Sequence, residues 1–166
     1  FTMRGNIERV TRGTGLVTEY GYDVNGRLTQ QTIDRGDKEI AATWSYDFLG
    51  RLRRTVVNAG TNALDQIVTS NGFDEYYNLT SLVDPKGTVV RLDYDHRNRL
   101  ERAVVDEGGL DLTTTWALDG NGNAIAVEDP NGHVTRLYYD GRSDLVKVRD
   151  AEGYVTAMDY DYRSRL

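Results

Sequence analysis

One seven-residue stretch, Tyr22-Asp23-Val24-Asn25-Gly26-Arg27-Leu28, constrains this chain more than any other feature, because it comes back. It returns as Tyr46-Asp47-Phe48-Leu49-Gly50-Arg51-Leu52, and weaker copies open at Phe1, Phe73, Tyr94, Leu118, Tyr139 and Tyr160. An aromatic residue or Leu opens each copy. Asp follows in all but the first, and Leu, Ile or Ala stands six residues after the opener. Successive openers are 21, 24, 27, 21, 24, 21 and 21 residues apart. A period in the twenties implies an array of one supersecondary unit, not a domain with a unique core. Residues 1–166 are therefore expected to be a single array of about seven repeats, a segment of a longer one.

The half-repeat before each opener alternates. Read backwards in steps of two it gives Tyr22, Tyr20, Thr18, Leu16, then Tyr46, Trp44, Ala42, Ile40, then Tyr94, Leu92, Val90, Thr88, with polar or small residues between. Period-two alternation of aromatic and β-branched residues predicts a strand with one buried face. The half-repeat after each motif predicts a second strand: 28–33, 52–57, 79–83, 100–105, 124–127 and 145–148. Apolar pairs such as Val56-Val57 and Val104-Val105 suggest that these strands are covered on both sides.

Turns separate the strands. Glycine stands fourteen residues after every opener that has a residue there: Gly15, Gly36, Gly60, Gly87, Gly108, Gly132 and Gly153. In Asp84-Pro85-Lys86-Gly87 and Asp129-Pro130-Asn131-Gly132 the order Asp, Pro, Gly predicts a type I turn, with glycine at φ > 0 leading into the next strand. The longer repeats insert residues only beside this turn, where a hairpin tip tolerates them. The second turn lies inside the motif. Its Asp is expected to cap amides of its own turn, and Arg27, Arg51, Arg99 and Arg165 to pair with neighbouring motif Asp residues across the sheet. Tyr77 replaces the Gly of the best copies in the repeat beginning at Phe73, so that turn is expected to differ. The fold class is all-β: tandem β-hairpins forming one continuous, antiparallel, coiled sheet of about fifteen strands.

Composition narrows the function. The net charge is −6 with both signs interspersed, so nucleic acid is a poor partner. No apolar run reaches the ~18 residues of a membrane span, and the absence of cysteine excludes disulfides and thiolate chemistry.

The signature Tyr22, Asp23, Gly26, Arg27, Leu28 and Tyr46, Asp47, Gly50, Arg51, Leu52 resembles the YD repeats of RHS-repeat proteins. The looser copies share it at Tyr94, Asp95 and Leu100, at Tyr139, Asp140 and Leu145, and at Tyr160 and Asp161. The resemblance implies a segment of a spiral β-shell. In bacterial polymorphic toxins and insecticidal toxin complexes such a shell encloses a toxic domain of the same polypeptide, and in teneurins a related shell belongs to an adhesion ectodomain. It implies a secreted or cell-surface protein, bacterial in origin, whose partners are the adjacent repeats and an enclosed cargo domain. The family's self-cleaving aspartates are not carried onto Asp84 or Asp129, which occupy repeat turn positions.

Several residues invite a chemical role and a structural one. Asp119-Gly120-Asn121-Gly122-Asn123 starts like a calcium loop, yet Ala124 and Pro130 stand at its sixth and twelfth positions, so it reads as a motif turn. His96 and His133 have no neighbouring ligand or triad residue. The pairs Asp93 with Asp95 and Asp159 with Asp161 recur at repeat positions, unlike a glycosidase pair. Trp44 and Trp116 share one repeat position and read first as a packing column, second as a platform for glycans. Asn78-Leu79-Thr80 is a glycosylation sequon. No catalytic residue, metal site or cofactor is expected. The function expected is that of a non-catalytic shell segment. The alternative is a carbohydrate- or protein-binding adhesion module, and open sheet edges would let the isolated segment self-associate.

Overall fold

The computed structural model describes residues 5–13, 15–34, 39–58 and 65–166. Every regular element among them is a strand: β1 Arg9–Thr11, β2 Val17–Tyr22, β3 Leu28–Asp34, β4 Glu39–Tyr46, β5 Leu52–Val57, β6 Ile67–Phe73, β7 Leu79–Val83, β8 Val89–Tyr94, β9 Leu100–Val105, β10 Leu112–Leu118, β11 Ala124–Glu128, β12 Val134–Tyr139, β13 Leu145–Arg149 and β14 Val155–Ala157. They form one 14-stranded antiparallel sheet in which spatial order is sequence order. Eleven of its pairings have an antiparallel register, from Val10 opposite Thr18 to Val148 opposite Thr156, and five of these shift by one residue at a motif. Short connections force this order, because a strand ending in a tight turn has only its own predecessor within reach. The expected strands 52–57 and 79–83 match β5 and β7 end to end, while the last alternating half-repeat is strand only at Val155–Ala157. β1 is an addition that the alternation of the sequence did not single out.

The contacts of the chain cluster into two compact units: residues 1–72 with 82–87, and residues 73–81 with 88–166. In the first, β2 to β5 pair in sequence, Tyr20 opposite Gln31, Gln31 opposite Ala42 and Ala42 opposite Val57. In the second, β8 to β13 continue the pattern, with Leu92 opposite Ala103 and Trp116 opposite Val127.

Burial departs from expectation. Only Ala41, Val56 and Val104 are buried among the described residues, and Val104 is the most enclosed at 3% exposure. Val56 opposes Thr43, and Val104 opposes Arg91. Directly opposed residues share a face, so all three lie on the face turned away from Tyr46, Trp44 and Leu92. The aromatic column is half-buried rather than buried. Nor is the second strand covered on both sides, since Val105, next to buried Val104, is 42% exposed. The physical reason is that no second layer packs on either face among the described strands. Each side chain is covered only by its neighbours in the sheet.

Candidate functional site

The motif turns form the most organised polar structure in the chain, and each is built around one aspartate. Asp47 shows the pattern. Its amide donates to the Arg51 carbonyl at 3.0 Å, and its carbonyl accepts from the Gly50 amide at 3.0 Å. Its Oδ1 accepts the amides of Leu49 and Arg51 at 3.0 and 2.9 Å, and its Oδ2 accepts Arg51 Nε at 2.6 Å. Asp23, Asp95 and Asp161 repeat this with Arg27, Arg99 and Arg165, while Asp74 and Asp119 do so with Asn78 and Asn123. Asp is suited to the place because a short carboxylate can accept two amides of its own turn while its outer oxygen stays free for a longer side chain.

These contacts favour the ionised carboxylate. Hydrogen bonding by the Arg99 side chain, then by the Arg99 amide, lowers the Asp95 pKa to about 2. The Arg27 amide is the foremost cause of the lowered pKa of Asp23, the Asn123 side chain that of Asp119, and the Arg165 side chain that of Asp161. The ion pairs thus close within a turn, not across the sheet as expected, because the residue four places on is already in reach.

Contact between repeats takes a different route. The Arg27 guanidinium lies 4.8 Å from the centre of the Tyr46 ring, and Arg99 Nη1 donates to the Asp119 carbonyl at 2.6 Å. Asn78 Nδ2 reaches Asn98 Oδ1 at 3.0 Å, and Asn123 Nδ2 reaches Ser143 Oγ at 3.1 Å. The opener contributes as well. Tyr46 Oη donates to the Leu28 carbonyl at 2.8 Å, Tyr22 to Ile7 at 2.9 Å and Tyr94 to Leu79 at 3.0 Å. In every case the acceptor stands six residues after the previous opener. The Leu28 carbonyl stands where the ladder shifts by one residue, between Gly21 and Tyr22. The sequence reading missed this clamp. Its signal was the preference for Tyr over Phe at the opener, and the Asn71 that precedes Phe73: Asn71 Nδ2 donates to the Leu52 carbonyl at 3.1 Å.

The Tyr77 turn does not differ from the others. Tyr77 takes φ 72°, as Gly26 takes 83° and Gly50 takes 90°, and its amide donates to the Asp74 carbonyl at 3.4 Å. The tip turns vary where they are described, the Gly108 amide donating to Asp111 Oδ1 at 2.8 Å. Gly87, Gly132 and Gly153 donate to the carbonyls of Asp84, Asp129 and Asp150, and Gly15 and Gly108 also have positive φ. Gly36 and Gly60 lie outside the described residues.

The other candidates are distributed as follows. Asp119 has both carboxylate oxygens engaged by amides of its own turn and by Asn123. Among the described residues no cluster of His, Asp or Glu could hold a metal ion. His96 is exposed, in a shallow cavity of about 350 Å³ beside Asp74 and Asp95, whose carboxylates are held by their own turns. His133 precedes β12 and puts Nδ1 3.2 Å from Asp129 Oδ2, the place Arg holds in the motif turns. Asp93 turns to Arg102 at 3.0 Å while Asp95 turns to Arg99, so the pair does not converge. Trp44 and Trp116 are half-buried, opposite Thr55 and Val127. The sequon nitrogen, Asn78 Nδ2, is engaged by Asp74 and Asn98.

A sheet of repeated hairpins bearing this signature defines a class, a structural repeat family. The RHS Repeat family model matches residues 3–39, 78–111 and 119–153, and the chain belongs to that family. It is 28% identical over 125 residues to the tRNA nuclease WapA of Bacillus subtilis strain 168, and 27% identical to the tRNA3(Ser)-specific nuclease WapA of Bacillus spizizenii. In each case the match covers 75% of this chain but only 5% of the relative. Among solved structures it resembles a chain of the Photorhabdus luminescens Tc holotoxin pore carrying TccC3-D651A (TM-score 0.57, 15% identity, 95% of this chain and 10% of that one). It also resembles TcdB2-TccC3-TEV (TM-score 0.58, 16% identity, 96% and 10%). Among the described residues no helix is long and apolar enough to cross a membrane.

Proposed function

We propose that this segment is a non-catalytic stretch of wall in a bacterial, exported RHS-repeat shell that encloses a toxin or effector domain. The observation that carries the reading is the state of the motif carboxylates. Each motif aspartate is held by amides of its own turn, as Asp23, Asp47 and Asp95 are, so the most abundant acidic groups are engaged in holding hairpins. A wall needs this kind of residue use, in which polar groups are satisfied internally and adjacent repeats are joined side by side. The likeness to chains of Tc toxin structures supports the architecture of such a wall. The nuclease names of the curated relatives belong to proteins that this segment matches over a twentieth of their length.

The test is limited proteolysis of the native polypeptide that carries this segment. An enclosed domain stays uncut until the repeats are denatured. Digestion of every non-repeat domain at the rate of its isolated form would overturn the reading. A second reading, glycan binding on aromatic side chains, is favoured by the exposure of Phe48, Tyr76, Tyr154 and Tyr162. A glycan array with the parent, Trp44→Ala and Trp116→Ala tests the platform first suggested by sequence, and binding unchanged by either substitution removes it. Edge-to-edge association of the isolated segment through β1 and β14 is a further proposal, checked by sedimentation at rising concentration.

A further inference from the structure

Two directly opposed charge pairs in this sheet unite opposite signs, whereas on β3 and β4 Asp34 opposes Glu39. Arg9 opposes Glu19 with 3.6 Å between charged atoms, and Arg102 opposes Asp93 at 3.0 Å. Arg91, on the same face as Arg102, pairs with Glu107. On β12 and β13 like charges meet again, and here both are positive. Arg136 directly opposes Arg149, and one step along, Tyr138 opposes Lys147. Opposed residues hold their Cβ atoms roughly 4.5–5.5 Å apart, so like charges there repel. Both arginines are exposed, and among the described residues neither has a hydrogen bond or ion pair. Lys147 Nζ lies 3.8 Å from the centre of the Tyr138 ring.

Nearby acids do not relieve the patch. Asp119 and Asp140, at the end of the adjoining cavity, are engaged by their own turns, and Glu128 opposes Val134 without an ion pair to Arg136. In a chain of net charge −6, three cations on two strands with no acid between them form a local field that favours an anion. Their surroundings are aliphatic. Ala126 opposes Arg136, Val155 opposes Arg149 and Ala157 opposes Lys147, and the cavity of about 470 Å³ beside Arg136 is also lined by Ile125 and Tyr138. Guanidiniums offer carboxylates a two-pronged donor set, and the interleaved small apolar residues offer contact to aliphatic side chains. Phosphate backbones and polyuronates carry no such side chains.

We propose that this patch is a docking surface for an acidic segment of another protein, with aliphatic residues interleaved and its carboxylates bridging Arg136 and Arg149. The proposal stands whether or not the array encloses a cargo. The probe is a short, capped, fluorescent peptide of alternating Glu and Val, titrated by anisotropy with the full chain at near-physiological salt. Saturable binding is expected, weakened at least roughly tenfold in the double variant Arg136→Gln, Arg149→Gln. Arg102→Gln, at an arginine already paired with Asp93, should leave it unchanged. Removing the opposed like charges should hold or raise the thermal midpoint, so lost binding in the double variant is not lost folding. The proposal is overturned by no saturable binding, by equal binding of the double variant, or by an oligodeoxythymidine or a polyuronate binding as tightly through the same arginines.

Discussion

Two motif turns differ in almost every side chain and agree in almost every hydrogen bond. The copy at Tyr46 has glycine at the left-handed position and arginine after it, while the copy at Phe73 has Tyr77 and Asn78. Yet Asp74 Oδ1 accepts the amides of Tyr76 and Asn78 at 2.9 and 2.8 Å, as Asp47 Oδ1 accepts those of Leu49 and Arg51 at 3.0 and 2.9 Å. Even the clamp to the previous repeat survives by substitution, with Tyr46 Oη on the Leu28 carbonyl in one copy and Asn71 on the Leu52 carbonyl ahead of the other. The aspartate sets the turn. Glycine and arginine make it easier to form.

That comparison can be broken in four ways, the largest effect first. Acid should weaken the Asp47 turn and the other motif turns whose carboxyl is held below its ordinary pKa. Folded-state pKa values below the ordinary carboxylate value make the ionised form stabilising, so this contribution is complete above about pH 4 and is lost as pH falls through the folded values, which for Asp95 is about 2. Thermal unfolding midpoints should therefore be flat in this respect above pH 4 and fall steadily toward pH 2. A midpoint unchanged down to pH 2 would contradict the role given to the aspartates.

Asp74→Ala should cost about 3 kcal/mol, since it removes three hydrogen bonds to a charged group from a turn that has no glycine. Asp47→Ala should cost less, because Gly50 still favours the turn. Denaturant unfolding of the two variants gives the ranking, and the reverse order would return the leading role to glycine.

Exchange of the left-handed residue comes next. Gly50→Ala should lose about 1–2 kcal/mol, because it adds strain at φ 90° and sets a Cβ 2.8 Å from Arg27 Nη1. Tyr77→Gly should gain up to about 1 kcal/mol by relieving the same strain. The smallest effect belongs to the clamp. Tyr46→Phe and Asn71→Leu should each cost about 0.5–1.5 kcal/mol, the net worth of one hydrogen bond, with no change in circular dichroism.

Much of the architecture was legible in the sequence because it is written locally. Tyr-Asp marks one turn, glycine fourteen residues later marks the other, and alternation fills the interval, so β5 and β7 have the expected ends. What was not legible depends on neighbours in space. The partners of Arg27 and Arg51 differ from expectation because a spacing of four residues, familiar from helices, is here closed by a turn. Tyr77 misled because residue type argues against a left-handed backbone, while the Asp74 contacts enforce one. The hydroxyl clamp joins one repeat to the one before it, which no single repeat reveals. The unpaired Arg136 and Arg149 lie 13 residues apart and meet only through the register of β12 and β13.

The thinness of the sheet has a thermodynamic consequence. With three buried side chains among the described residues and the aromatic column half-buried, unfolding would release less greasy surface to water than a layered fold of 166 residues does. The heat-capacity increment and the denaturant slope should both be small for its length. A small increment flattens the dependence of stability on temperature, so such a strip would hold its form over a wide thermal range without ever being very stable at any point within it.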